Sequence, residues 1–140
     1  MRYDILPKIK VDDINIYYEI HGDGPPLLMI TGLGANINWY TDEYIEEFAK
    51  HFKLIILDNR GTGRTDITDK EFSIKMLAED AVGLMKALKI DKFYLMGTSM
   101  GGMISQELVQ ISRRRLKSLF SVLQVAECVK VFPLLPKYLN

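Results

Sequence analysis

The stretch Gly97-Thr98-Ser99-Met100-Gly101-Gly102 decides the fold, because a strand pattern and a helix pattern meet in it. Residues 92–96 precede it and form a short, largely apolar run that is typical of a buried strand. Residues 103–109 follow it without Gly or Pro and predict a helix. A strand, a sharp turn and a helix in this order place the Ser99 hydroxyl at the carboxyl edge of a sheet.

The residue types around Ser99 suit a strained turn that presents a nucleophile. Such a turn needs small neighbours, and neither Gly97 nor Gly101 has a Cβ to clash. The Met100 N–H is left at a helix start, where it can stabilise an oxyanion. The alternative is an ordinary strand–helix loop that contains a serine. The strand and helix on either side favour a nucleophile elbow.

Composition limits the class of protein. The 140 residues predict one domain, and a hydrophobic content of 48% suffices for a core. Lys+Arg and Asp+Glu both number 18, so the formal net charge is zero, which argues against nucleic-acid and membrane-surface partners. Cys128 is the single cysteine, so no intrachain disulfide can form. Because neither an apolar targeting core nor a membrane-spanning run is present, we expect a cytoplasmic protein.

Alternating and continuous apolar runs predict the strands of the amino-terminal half. Residues 8–11 and 14–20 alternate apolar with polar side chains, and Asp12-Asp13 between them supplies turn chemistry, which predicts a β-hairpin. Residues 27–30 and 52–57 are apolar nearly throughout, as expected of parallel strands buried on both faces.

Helical spacing predicts the elements between these strands. A helix is expected to open at Trp39-Tyr40 and run to residue 49, and Ser73 can cap a second helix that runs to Leu88. Residues 116–123 predict a further strand. Strands that alternate with helices indicate an α/β fold with a mostly parallel sheet. The basic residues 113–115 are interpreted as a solvated helix end, with an anion site as the alternative.

Two loops at strand ends carry polar or glycine-rich sequence. Thr31-Gly32-Leu33-Gly34-Ala35-Asn36 can bend with the Leu33 N–H exposed, which suits a second oxyanion donor or a plain connecting loop. Residues 58–66 contain two glycines, which raises the alternative of a phosphate loop. A phosphate loop requires Gly-Lys-Ser/Thr at a helix start, and none follows. A turn braced by Asp58 and Arg60 is the favoured interpretation.

In these motifs the chain resembles the α/β-hydrolase superfamily, and within it the branch of carboxylesterases, enol-lactonases and cofactor-free haloperoxidases. Residues 31–34 are similar to that family's His-Gly-x-Gly oxyanion loop, and residues 58–65 to its Asp-x-Arg-Gly-x-Gly-x-Ser turn. Residues 97–102 are similar to its elbow. The resemblance covers roughly residues 5–123. It implies the amino-terminal half of an α/β-hydrolase fold, with a β-hairpin followed by a mostly parallel sheet flanked by helices.

The resemblance also implies roles for individual residues. Ser99 would be the acyl-accepting nucleophile, and the Leu33 and Met100 amides would form the oxyanion hole. Gly32 and Trp39 would contact a small-molecule ester or lactone, Trp39 close to the active-site floor, with neither cofactor nor metal required. Thr31 stands where the family usually has His, and Thr65 where it has Ser; these departures are mild, because each keeps a hydrogen-bonding side chain.

A third departure concerns the catalytic triad. The family's triad runs Ser, then Asp or Glu, then His along the chain. After Ser99 this sequence contains neither Asp nor His, and we expect neither His21 nor His51 to reach Ser99. A serine hydroxyl without a general base is a weak nucleophile. The expectation is therefore a single truncated domain that is catalytically incomplete.

The last residues depart from the family as well. From about residue 121 to 140 the sequence does not resemble the family's next loop, and one hypothesis is a frameshifted reading; nonsense truncation and an ancestral fragment are the alternatives. The frameshift hypothesis predicts that this tail is poorly ordered or only incidentally helical. The strand at residues 116–123 would then be an exposed edge, which predicts self-association.

Two further interpretations of the chain stay open. In one, this is a working esterase or lactonase whose missing half comes from elsewhere. In the other, it is a non-catalytic binding or interaction protein that retains the half-fold.

Overall fold

The chain forms a mixed β-sheet with helices on both faces. The computed structural model describes residues 7–112, 116–125 and 128–134, and the side chains of residues 7–112. Within them lie seven strands: β1 (Lys8–Val11), β2 (Ile14–His21), β3 (Pro26–Ile30), β4 (Lys53–Leu57), β5 (Phe93–Thr98), β6 (Leu116–Val125) and β7 (Cys128–Leu134). The helices described are a 3₁₀ helix (Ile37–Trp39), α1 (Asp42–Ala49), α2 (Ile74–Ala87) and α3 (Met100–Ser112).

The strand order is β1-β2-β4-β3-β5-β6-β7, with β3 near the centre. β3 pairs parallel with β4 and with β5, and β5 pairs parallel with β6. The outer pairs, β1 with β2, β2 with β4, and β6 with β7, are antiparallel. The predicted α/β class and the predicted hairpin at Asp12-Asp13 are confirmed. Parallel strands bring the loops after β3, β4 and β5 to one edge, where ligands bind in open α/β sheets.

The two faces of the sheet are covered unequally. α2 and α3 pack on one face over a large cluster that includes Leu28, Ile55 and Leu95. α1 packs on the other face over a smaller cluster that includes Met29, Ile45 and Ile56. Side chains alternate along each strand, so β3 and β4 contribute to both clusters. Their continuous apolar sequence is explained by this burial on two faces.

The helix ends follow local capping chemistry. The Ser73 hydroxyl accepts a hydrogen bond from the Met76 N–H at 3.1 Å, so the predicted cap of α2 is confirmed. The prediction that one helix opens at Trp39 is wrong. The 3₁₀ helix ends at Trp39, Tyr40 is extended, and Thr41 caps α1 by accepting from the Tyr44 N–H at 3.2 Å.

The expectation of an incidentally helical tail is also wrong where the structure describes it. β6 extends to Val125, and β7 pairs with it in antiparallel register from Leu119↔Leu134 to Val125↔Cys128. Val and Phe at residues 129, 131 and 132 favour a strand. The edge predicted at residues 116–123 is therefore paired with β7. The basic residues 113–115 and the final residues 135–140 lie outside the described residues.

None of the helices in the described part of the chain combines the length and apolarity needed to cross a membrane.

Candidate active site

Ser99 occupies a strained turn between β5 and α3. Its φ angle is 55°, in the left-handed region that non-glycine residues rarely adopt. Such a conformation costs on the order of 1–3 kcal/mol and persists where the surroundings enforce it. A Cβ at Gly97 would clash with the Gly101 carbonyl oxygen and the Ser105 Oγ atom, and a Cβ at Gly101 would clash with the Ile30 carbonyl oxygen. The two glycines thus allow the close packing that fixes the turn.

The start of α3 is tied directly to this turn. The Gly102 N–H donates to the Ser99 carbonyl oxygen at 2.8 Å, and the Ser105 hydroxyl donates to the Gly101 carbonyl oxygen at 2.7 Å. Met100 is the first residue of α3. N–H groups in a first helical turn have no carbonyl partner within the helix and carry partial positive charge. The Met100 N–H is therefore suited to a developing negative charge beside Ser99.

The loop after β3 lies against Ser99. A Cβ built on Gly32 would be 3.2 Å from the Ser99 Cβ atom and 3.8 Å from its Oγ atom. The Ala35 N–H donates to the Gly32 carbonyl oxygen at 3.2 Å, which closes a turn with Leu33 at its tip. The Leu33 side chain is 71% exposed. The structure therefore brings the two loops that the sequence singled out to the same point.

A cavity of about 340 Å³ opens over Ser99. It is lined by Thr31, Gly32, Leu33, Ala35, Trp39, Tyr40, Thr98 and Ser99. Trp39 lines this cavity and is 73% exposed. Tyr40 was missed as a site residue, although it adjoins Trp39 in the sequence. Burial raises the pKa of the Tyr40 phenol, and a hydrogen bond with the Thr98 side chain opposes that rise.

Asp58 and Asn59, which follow β4, support the loop that carries Gly32 and Leu33. The Asp58 carboxylate accepts from the Ile37 N–H at 2.8 Å and from the Arg64 N–H at 3.0 Å. The Asn59 Nδ2 atom donates to the Thr31 carbonyl oxygen at 3.2 Å. Asp58 thus braces the predicted turn. The sequence did not predict the hydrogen bond from Asn59 to the loop after β3.

Arg60 is not among the residues that line the cavity over Ser99, and its side chain joins distant elements. Its guanidinium donates from Nε and Nη2 to the Asp80 carboxylate at 2.9 and 2.8 Å, and from Nη1 and Nη2 to the Asp13 carboxylate at 3.1 and 2.8 Å. These hydrogen bonds, to Asp80 first and then to Asp13, raise the pKa of Arg60. Lys70 adds a contact to Asp13 at 2.8 Å. Arg60 therefore braces the scaffold.

The two histidines lie at the far end of the sheet from Ser99. His21 pairs in register with Leu54, near the amino end of β4. His51 lies between α1 and β4, at the same end. Ser99 follows the carboxyl end of β5, so neither ring is placed beside it. In the described part of the chain, no three His, Cys, Asp or Glu side chains come together in a way that could hold a metal ion.

Comparison with known proteins identifies relatives of matching sequence. A family model described as the alpha/beta hydrolase fold matches residues 25–139. RutD of Azorhizobium caulinodans, named as a candidate carbamate hydrolase, is 32% identical over 114 residues, which cover 81% of this chain and 43% of RutD. BpoC of Mycobacterium tuberculosis strain H37Rv, named as a candidate non-heme bromoperoxidase, is 32% identical over 100 residues, covering 71% of this chain and 38% of BpoC.

Two solved structures of hydrolytic enzymes also superpose on this chain. Est816, described as an N-acyl homoserine lactone degrading enzyme, superposes with a TM-score of 0.76 at 32% identity, covering 83% of this chain and 44% of Est816. The enol-lactonase of Burkholderia xenovorans LB400 also gives 0.76, at 26% identity, covering 81% of this chain and 45% of that enzyme. The chain spans less than half the length of these four proteins, and it belongs to the α/β-hydrolase family.

Proposed function

We propose that this chain carries the nucleophile and oxyanion hole of a serine hydrolase that acts on small carboxylic esters or lactones. The observation that carries the proposal is the strained Ser99 at φ 55°, which lies so near Gly32 that a Cβ on Gly32 would be 3.2 Å from the Ser99 Cβ atom. Relatives named for the hydrolysis of carbamates and lactones support this substrate class. No cofactor or metal is required by this chemistry.

The proposed reaction begins at the Ser99 Oγ atom. Oγ attacks the substrate carbonyl carbon, the hydroxyl proton passes to solvent water, and the carbonyl electron pair moves onto oxygen. The Leu33 and Met100 N–H groups would donate to that oxyanion. Collapse expels the alcohol portion, which takes up a proton, and leaves an acyl group on Ser99. Water then releases the acid and restores the hydroxyl.

This sequence lacks a histidine at the place along the chain where the family's triad has its general base. No His follows Ser99 within the 140 residues. Loss of a triad member typically lowers turnover by about 10⁴–10⁶. We therefore propose that this chain by itself acylates Ser99 slowly and turns over feebly.

Covalent labelling tests the proposal. A fluorophosphonate probe should label the chain slowly, and Ser99→Ala should abolish labelling. Ser112→Ala, at the other end of α3, is the matched control and should label like the unmodified chain. Hydrolysis of p-nitrophenyl acetate should stay far below ordinary esterase turnover. Rapid turnover that Ser99→Ala abolishes would contradict the proposed incompleteness.

A non-catalytic binding protein is the second candidate, favoured by the position of His21 and His51 at the opposite end of the sheet from Ser99. It predicts no labelling of Ser99 at any probe concentration that leaves other serines unmodified. The same experiment therefore separates the two candidates.

A further inference from the structure

Tyr40 and Thr98 both line the cavity over Ser99, and a hydrogen bond joins their side chains into a hydroxyl pair. We propose that this hydroxyl pair donates a hydrogen bond to a second, uncharged oxygen of the substrate, beside the carbonyl that Ser99 attacks. The inference rests on the proposed function and narrows its substrate class. The substrates would be small esters or lactones whose acyl portion carries an ether, keto or hydroxyl oxygen.

Both members of the hydroxyl pair lie on the α1 side of the sheet, at its carboxyl edge. Tyr94 and Met96 of β5 pack against the smaller core cluster beneath α1, and Thr98 continues the same alternation along the strand. Tyr40 packs against that cluster as well. Ser99 directly follows Thr98, so an acyl group bonded to Ser99 stays beside the hydroxyl pair after the alcohol has left.

A stack of aromatic rings holds the Tyr40 phenol in place. The Tyr40 and Tyr44 rings are stacked with their centroids 5.2 Å apart at an interplanar angle of 10°, and the Phe48 ring lies 5.0 Å from that of Tyr44. Tyr44 and Phe48 are one turn apart on α1. Because the phenol is already ordered, it loses little further freedom when a ligand binds, which strengthens the hydrogen bond that it can make.

The hydroxyl pair has a proton to donate to a ligand. Each hydroxyl group carries one O–H donor, and the hydrogen bond between Tyr40 and Thr98 uses one of the two. Burial raises the pKa of the Tyr40 phenol, so this group stays uncharged at neutral pH. The second proton is therefore available to an acceptor in the cavity.

The lining of the cavity favours an uncharged oxygen over a carboxylate. None of the described residues that line it is Asp, Glu, Lys, Arg or His. A charged group brought into such a site would lose hydration without gaining an opposite charge. An ether, keto or hydroxyl oxygen loses much less hydration, and a single hydrogen bond from the hydroxyl pair can replace it.

Matched p-nitrophenyl esters test the inference on the full chain. Methoxyacetate differs from butanoate by one CH₂ replaced with oxygen, and 3-methoxypropanoate differs from pentanoate in the same way, with the oxygen one position further out. In each acylation the bond from Ser99 Oγ to the carbonyl carbon forms and the bond from that carbon to the p-nitrophenyl oxygen breaks. p-Nitrophenolate leaves, and the hydroxyl proton passes to solvent.

The burst of p-nitrophenolate that Ser99→Ala abolishes gives the acylation rate constant. Dividing it by the rate constant for hydroxide hydrolysis of the same ester removes the intrinsic difference in reactivity. In at least one of the two pairs, the methoxy ester should then react about two- to tenfold faster than its alkyl counterpart, as expected of one neutral hydrogen bond.

Matched variants locate the effect. Tyr40→Phe keeps the ring and removes the hydroxyl group, and it should bring the methoxy-to-alkyl rate ratio close to one. Tyr44→Phe removes the same group from the next ring of the stack, which is not among the residues that line the cavity, and it should keep the ratio of the unmodified chain. Ratios near one in the unmodified chain, or equal ratios in the two variants, would overturn the inference.

Binding without reaction separates this inference from the proposed function. Trp39 lines the same cavity and is the single tryptophan of the chain, so its indole N–H gives one identifiable NMR signal. In the Ser99→Ala chain, methoxyacetone should shift this signal saturably, at lower concentration than 2-pentanone does. Adding Tyr40→Phe should remove the difference between the two ketones.

The combined results distinguish the two proposals. A difference in ketone binding without any acylation of Ser99 would refute the proposed hydrolase and support the hydroxyl pair. Acylation of Ser99 with no preference for the oxygen-bearing compound, in rate or in binding, would overturn the hydroxyl pair and leave the hydrolase standing. Neither acylation nor a difference in binding would refute both.

Discussion

Thr31 is the residue through which two loops of the candidate site are joined. Its carbonyl oxygen accepts from the Asn59 side-chain amide at 3.2 Å, and the two residues are only 1% and 2% exposed. A buried carbonyl needs a donor, so Asn59 restricts where the backbone after β3 can lie. Gly32 and Leu33 follow immediately, and their position relative to Ser99 depends on that restriction.

Replacing Asn59 should therefore affect both stability and reactivity. Asn59→Leu leaves the Thr31 carbonyl without this donor, and the free energy of unfolding should fall by about 1–3 kcal/mol. Ser99 labelling by a fluorophosphonate should slow at a temperature where the variant is fully folded. Thr62→Val is the control, because it removes a hydrogen bond of the same loop, to the Asn59 carbonyl at 2.7 Å, that does not reach Thr31. Equal labelling rates in the two variants would show that Asn59 does not position the loop.

The roles of some site residues could be predicted from sequence, and the roles of others could not. Ser99 with Gly97 and Gly101 could be predicted, because a strained turn admits few residue types and the strand and helix beside it are local. Asn59 could not, because its contact with Thr31 spans 28 positions and depends on the pairing of β3 with β4. Tyr40 was missed for the same reason, since its neighbour Thr98 lies far along the chain, at the end of β5.

At the scale of elements, Arg60 holds together parts that are far apart in the chain. Asp13 lies in the turn between β1 and β2, Arg60 follows β4, and Asp80 is on α2. The Arg60 and Asp80 side chains are only 5% and 7% exposed. Removing one partner of a buried ion pair is strongly destabilising, because the other charge stays buried. The hairpin, the loop and the helix are thus fixed to one another by charge.

The Asp13 carboxylate should make stability depend on acid pH. Hydrogen bonds from Arg60 first, and then from Lys70, hold the pKa of Asp13 well below its ordinary value. A depressed folded-state pKa contributes stability that is fully present above about pH 5, and is lost as pH falls below the unfolded value of about 3.9 toward the folded one. Asp13→Asn should therefore lower stability at pH 7 and flatten the acid limb of the stability curve.

Urea unfolding between pH 2 and pH 7 measures this effect. Asp23→Asn is the control, because it removes the same charge from an exposed position in the loop between β2 and β3. An acid limb that is as steep in Asp13→Asn as in the unmodified chain would contradict the assignment.

Elements were predicted well where a local signal exists. Ser73 caps α2 with its own hydroxyl, and Asp12-Asp13 forms the hairpin turn, so both could be predicted from neighbouring residues. Thr41 followed by Asp42 and Glu43 carries a helix-start signal that the aromatic spacing obscured. β7 was missed because its sequence was judged against a family loop. Its alternating valines already favoured a strand.

The whole molecule depends on central strands that bury both faces. Ile20 of β2 and Ile55 of β4 are directly paired across the sheet, yet Ile20 is 40% exposed and Ile55 is fully buried. Ile55 belongs to the cluster beneath α2 and α3. Two isoleucine side chains at paired positions of adjacent strands thus differ strongly in burial.

This pair gives a matched test of where stability resides. Ile55→Ala should lower the free energy of unfolding by about 2–5 kcal/mol, because it leaves a cavity in the larger core. Ile20→Ala should cost about 1 kcal/mol, since its side chain is already partly in water. Chemical denaturation of both variants measures the difference. Similar losses would show that β2, which lies outside β4 in the strand order, contributes as much to the core as the central strands do.

The strand order also determines how long β3 waits for its second partner strand during synthesis. β3 has β4 on one side and β5 on the other, but β5 is made much later than β4. About forty residues separate the end of β4 from the end of β5, which at about 5–20 residues per second takes roughly 2–8 seconds. Throughout that interval the nascent chain has an apolar strand with an unpaired edge, the form most able to pair with another chain. The speed of translation across residues 58–98 therefore determines how long that edge stays open.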